Sequence, residues 1–163
     1  MRIIFTWKEI IVMDKKNEIA RFPATCNVRH ELNGQRKPNQ VIYTVNKYSK
    51  PYYPRQFPSG VWEITAIEWP EKDSDRYEKY GPVIIKTNAT REVFLWYLDI
   101  NGNYSSISSK TQTDTGYYIH HTHKYLTTHG CIRGGDTEDQ MIALSKLVEP
   151  SLNHHSRVFL EVL

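Results

Sequence analysis

Tyr117-Tyr118-Ile119-His120-His121-Thr122-His123-Lys124-Tyr125-Leu126-Thr127-Thr128-His129-Gly130-Cys131-Ile132-Arg133-Gly134-Gly135 is the stretch on which the reading of this chain turns. It holds four of the seven His and one of the two Cys. The apolar run Tyr117–Ile119 reads as the end of a strand, and the segment from Cys131 to Arg133 reads as extended. In an extended segment Cys131 and Arg133 emerge on one face, with Ile132 on the other. A thiol is mostly protonated at neutral pH and needs a neighbouring imidazole to become a nucleophile. His120 precedes Cys131 by eleven positions, so a short loop between them can fold the imidazole back toward the thiol. Gly130 permits a backbone turn closed to other residues, and such a turn can aim N–H groups at a developing oxyanion. The forked guanidinium of Arg133 suits a carboxylate.

Two other readings attach to the same residues. Cys131 could be a small buried hydrophobe. Alternatively, His120, His121, His123, His129 and Cys131 could ligate a metal, but no H-x3-H or C-x2-C spacing occurs among them. The nucleophile reading requires no metal and no organic cofactor.

Working outward, the 163 residues suffice for one domain with a sizeable core. Eleven Tyr, four Trp, eight Pro and eight Gly favour strands and turns over a helical bundle. The net charge of +3 comes without a basic stripe, which argues against nucleic acid. No run reaches transmembrane length. Met1–Lys8 lacks the apolar core and cleavage site of a secretory leader. A disulfide between Cys26 and Cys131 would consume the proposed nucleophile, so Cys26 is read as a buried or spare thiol.

Arg2–Met13 is predicted as a strand, returning as a hairpin through Glu18–Ala24. Asn27–Gln40 is a predicted loop and Val41–Val45 a short strand. Lys47–Pro58, with its prolines and tyrosines, is a loop or a rim for glycan or peptide. Val61–Ile67 alternates as a strand should, Glu68–Tyr80 is charged and exposed, and Val83–Lys86 is a buried strand. Val93–Ile100 is followed by the hairpin signal Asn101-Gly102, then by Asn103–Asp114 as a return strand or flap. Thr137 and Gln140 form a capping box for a helix with Met141, Leu144, Leu147 and Val148 on its apolar face, stopped by Pro150. His154-His155 is a solvated turn, and Arg157–Leu163 is a closing strand.

Thr128-His129-Gly130-Cys131-Ile132-Arg133 resembles the S/T-H-G-C-x-R/N signature of the L,D-transpeptidase catalytic domain, the YkuD family. Gly116 with Ile119-His120 is similar to the family's G-x-x-I-H lead-in, and Pro58-Ser59-Gly60-Val61-Trp62-Glu63-Ile64 to its P-x-G-x-Y/W-x-I element. The resemblance covers roughly Pro58 to Arg133 and is strongest over Gly116–Arg133. It departs from the family in two ways: His121 stands where a small residue is usual, and the loop from His to Cys is shorter, as in divergent phage-associated or secretion-effector relatives.

The resemblance implies one mainly β domain over residues 1–163, with mixed sheets or a sandwich and one main helix after the Cys motif. It implies Cys131 as nucleophile, His120 as base, His129 as a shaping residue and Arg133 as a carboxylate anchor. Gly130 belongs to the catalytic turn, and His121, Thr128 and Tyr118 are candidate substrate contacts. Either His120 or His121 can serve as base. The implied partner is a peptidoglycan stem peptide, cleaved at the L,D bond beside the diamino acid. The product is a cross-link, or a trimmed stem if the protein is an L,D-carboxypeptidase or lytic effector. A non-catalytic wall-binding module and a zinc protein are the remaining alternatives. The implied location is the bacterial envelope or periplasm, reached by a removed leader, a specialised secretion system or a phage lysis route.

Overall fold

A computed structural model describes residues 1–26, 40–44, 56–98, 104–122 and 130–163, with backbone alone over 40–44, 93–98 and 104–112. The chain is mainly β, as expected. The predicted strand Arg2–Met13 is two strands, β1 (Arg2–Phe5) and β2 (Glu9–Asp14), paired antiparallel with Ile3 opposite Val12. They are separated by a turn in which Trp7 adopts φ 71° and the Thr6 N–H donates to the Glu9 carbonyl at 3.0 Å. Apolar alternation runs through both strands, which is why they read as one. The expected hairpin to β3 (Asn17–Thr25) is present.

The remaining strands of the main sheet are β5 (Gly60–Glu68), β6 (Ile84–Thr87), β9 (Tyr118–His120), β10 (Ile132–Gly134) and β11 (Phe159–Val162). With β1, β2 and β3 they form a closed eight-stranded barrel in the order β1-β11-β5-β6-β9-β10-β3-β2. This corrects the expectation of mixed sheets or a sandwich. β11 pairs in parallel with β1, which in turn pairs with β2, so the sheet curls onto itself and this ring has no open edge. A separate three-stranded sheet orders β4 (Gln40–Thr44), β7 (Arg91–Leu98) and β8 (Tyr104–Asp114). The residues 101–103 that carry the predicted turn lie outside the described ones, but β7 and β8 pair antiparallel on either side of them. Of the predicted rim Lys47–Pro58, residues 47–55 also fall outside the described ones, as do residues 27–39 of the predicted loop Asn27–Gln40.

The core follows from strand alternation. Ile3, Phe5, Ile10, Val12, Ile119, Ile132, Leu160 and Val162 point inward. They meet Met141, Leu144 and Val148 of helix α2 (Glu138–Asn153). Burial of each such side chain stabilises the fold by about 1.5–3 kcal/mol. Thr137 caps α2, accepting from the Gln140 N–H at 3.2 Å, while the Gln140 side chain accepts from the Asp136 N–H at 2.7 Å. The predicted capping box therefore forms, reciprocated one residue earlier than the usual pattern. Pro150 does not stop the helix, as had been expected, but lies inside it. It sits in the last turn, and its carbonyl still accepts from the His154 N–H at 3.1 Å.

A second, short helix, α1 (Asp75–Tyr80), occupies the charged stretch that was read only as exposed. Ser74 caps it, and Gly81 ends it with φ 83°. Arg76 forms a forked pair with Glu68 on β5, and Lys86 on β6 reaches the same carboxylate at 2.5 Å. This cluster fastens α1 across the β5–β6 pair and so fixes the position of Tyr80.

Candidate active site

The site is built on β9 and β10, which lie side by side and parallel, with Ile132 opposite Ile119 and Arg133 opposite His120. Both isoleucines point into the core. Alternation then places Tyr118, His120, Cys131 and Arg133 on the other face of the pair. Cys131 immediately precedes β10, with its Sγ against the Gly116 carbonyl and the Tyr118 backbone. The extended reading holds from Ile132, where β10 begins, and Cys131 stands just before it.

Cys131 is buried, with 9% of its surface exposed. Its Sγ lies 3.7 Å from the Gly116 carbonyl. Burial pushes the thiol up to about 12, opposed by a hydrogen bond from the Tyr118 backbone and by the charge of Lys79. Gly130, just before it, has φ 118°, a conformation that favours glycine.

His120 is also buried, and burial lowers its pKa to about 4. The opposing effect is a hydrogen bond to the Tyr80 backbone. Nδ1 is buried and makes no hydrogen bond. The Tyr80 ring stands edge-on to the imidazole at 5.1 Å and also meets the Tyr118 ring at 6.2 Å.

His121 differs at both nitrogens. Nδ1 donates to the Gly135 carbonyl at 2.9 Å, and Nε2 accepts from Nη2 of Arg133 at 3.1 Å. Burial and the Arg133 charge lower its pKa, so the ring is neutral at pH 7. Its backbone is held just as closely. A Cβ on Gly81 would fall 1.7 Å from the His121 carbonyl oxygen, so the end of α1 can approach β9 only through glycine.

Arg133 and His121 line a cleft of about 480 Å³ together with Asp136, Thr137, Glu138 and Asp139 from the start of α2. The buried Nε of Arg133 makes no hydrogen bond. The cleft joins one guanidinium to three carboxylates, so it can receive a group carrying both a carboxylate and an ammonium. It opens two strand positions from Cys131, about 6.6 Å along the chain.

Of the predicted site residues, Cys131, His120, Arg133, Tyr118, Gly130 and His121 lie together around β9 and β10. Thr128 and His129 lie outside the described residues. Tyr80 escaped sequence reasoning because it stands in a charged segment far from the motif. The Ser74 cap and Gly81 marked a helix there, but nothing marked what that helix covers. Among the described residues no group of three or more His, Cys, Asp or Glu could hold a metal ion, and no helix among them is long and apolar enough to cross a membrane. No protein-family model matches the chain, and no curated protein matches it.

Proposed function

We propose that the chain is a cysteine acyltransferase of the L,D-transpeptidase type, acting on peptidoglycan stem peptides. The observation that carries this reading is that the parallel β9–β10 pair brings together a thiol, an imidazole whose Nδ1 makes no hydrogen bond and a guanidinium. The sequence resemblance supplies the substrate class.

In the resting state thiol and imidazole are both neutral, since burial raises Cys131 and lowers His120. The nucleophile is therefore formed as the substrate arrives, by general-base catalysis. Nδ1 of His120 accepts the Cys131 proton while Sγ attacks the amide carbonyl of the stem. The tetrahedral oxyanion is met by backbone N–H groups around Gly130 and Cys131. The C–N bond then breaks, the imidazolium protonates the leaving amine, and a thioester remains on Sγ. An incoming amine completes transpeptidation; water completes carboxypeptidation. The guanidinium of Arg133 binds a stem carboxylate in the cleft, and His121 accepts from Nη2 and holds it in place. Tyr118 and Tyr80 wall the site above the imidazole.

The test is incubation with a purified disaccharide tetrapeptide and chromatography of the products. A trimmed tripeptide or a cross-linked dimer that is absent with Cys131→Ala supports the reading. An unchanged tetrapeptide, or equal products from the variant, overturns it.

A further inference from the structure

The second thiol is not used by this mechanism, yet it touches the nucleophile's own peptide group. Cys26 follows β3 immediately and is buried. Its Sγ donates to the Gly130 carbonyl at 3.5 Å and accepts from the Phe57 N–H at 3.2 Å. Phe57 is itself fully buried and packs edge-on against Tyr117 at 5.4 Å, so the Cys26 sulfur has a fixed seat.

The contact has a geometric consequence. The Gly130 carbonyl belongs to the peptide bond whose N–H is that of Cys131. The bond is trans, and in a trans peptide the C=O and N–H point in opposite directions. β10 runs between β3 on one side and β9 on the other. A carbonyl held toward Cys26, on the β3 side, turns the Cys131 N–H toward the β9 side. That is the side on which the Cys131 thiol meets the Gly116 carbonyl and the Tyr118 backbone. Gly130 at φ 118° is the residue most easily rotated in this segment, so an anchor on its carbonyl is where orientation is most readily gained or lost.

We propose that Cys26 is a positioning residue that holds the Gly130–Cys131 peptide so that its N–H faces the oxyanion formed on attack by Cys131. This rests on the acyl-transfer reading of Cys131 but not on the identity of the acyl donor. Cys26 acts on the amide through the Gly130 carbonyl, and on the thiol only as a charge that raises it. Removing Cys26 therefore slows reactions that develop an oxyanion and does not slow those that do not.

The experiment uses p-nitrophenyl acetate as acyl donor and iodoacetamide as alkylating agent on the full chain, with peptide mapping to read modification at Cys131. Acylation passes through a tetrahedral oxyanion, whereas alkylation displaces iodide at carbon and forms none. Wild type, Cys26→Ala, Cys26→Ser and Cys131→Ala are compared, with thermal melts to establish folding. The expected result is an acylation rate at Cys131 about tenfold lower in Cys26→Ala, part of the 10²–10³ that loss of one whole donor costs. Alkylation should stay within about twofold, and Cys26→Ser, whose hydroxyl can make both bonds, should recover most of the acylation rate. Equal acylation by Cys26→Ala and wild type overturns the proposal. So does a parallel fall in both rates, or a serine variant as slow as the alanine one. Absence of Cys131 acylation in wild type overturns this proposal together with the acyl-transfer reading. Acylation by the ester but not by muropeptides overturns only the stem-peptide assignment.

Discussion

The Arg133 guanidinium donates from Nη2 to Nε2 of His121 at 3.1 Å, and that bond separates the roles of two adjacent imidazoles. With Nδ1 already donating to Gly135, His121 has no lone pair left for a proton. Nδ1 of His120 makes no hydrogen bond and is the ring nitrogen assigned to the proton in the proposed mechanism. His120→Gln is therefore expected to lower kcat about 10²–10⁴-fold. His121→Gln is expected chiefly to raise KM, because it loosens Arg133. Steady-state kinetics of the two variants on a tetrapeptide check this, and the opposite pattern would assign the base to His121.

Burial of both partners predicts a particular pH dependence of stability. His120 is lowered to about 4 in the folded chain, against about 6.5 unfolded. Between those values the unfolded state binds the extra proton, so stability is complete above about pH 6.5 and falls as pH drops toward 4. Cys131 is raised to about 12, so its contribution is complete below the unfolded value of about 8.5 and is lost as pH rises toward 12. Denaturant melts across pH should show a plateau between these limbs. His120→Gln should flatten the acid limb, and Cys131→Ala the alkaline one.

Tyr80 keeps water from His120 with its ring. Tyr80→Ala retains the backbone carbonyl bond but uncovers the imidazole, so the pKa of His120 should rise toward 6.5. An NMR titration of the ring protons measures this, and an unchanged value would mean that other groups provide the burial.

Gly81 is the point at which α1 meets β9. A methyl group there would clash with the His121 carbonyl oxygen, and the φ of 83° disfavours any side chain. Gly81→Ala should destabilise the fold by about 2–4 kcal/mol, read from chemical denaturation. Thr137→Ala, which removes only the α2 cap, should cost about 1 kcal/mol.

The local chemistry of this fold was legible in the sequence to different degrees. The Ile119/Ile132 inward alternation, the shared face of Cys131 and Arg133, and the Thr137–Gln140 cap all depend on neighbours within a few residues. Each could be read from spacing. The closure of the barrel could not, because it depends on β1 pairing in parallel with β11, strands at opposite ends of the chain with nothing in their composition to mark each other. The role of Tyr80 was hidden for the same reason: a charged segment reads as exposed until the Glu68–Arg76–Lys86 cluster fastens it over β9. Pro150 reads as a stop because it cannot donate to the carbonyl four residues earlier, yet α2 continues past it to Asn153. Cys26 looked spare because its partner, the Gly130 carbonyl, belongs to the backbone.

The most direct measurement is the intact mass of the protein after brief exposure to a purified disaccharide tetrapeptide. A mass gain equal to the stem acyl group, mapped to Cys131 and lost in Cys131→Ala, is the predicted result. Unmodified protein after such exposure, or turnover retained by Cys131→Ala, would contradict the account.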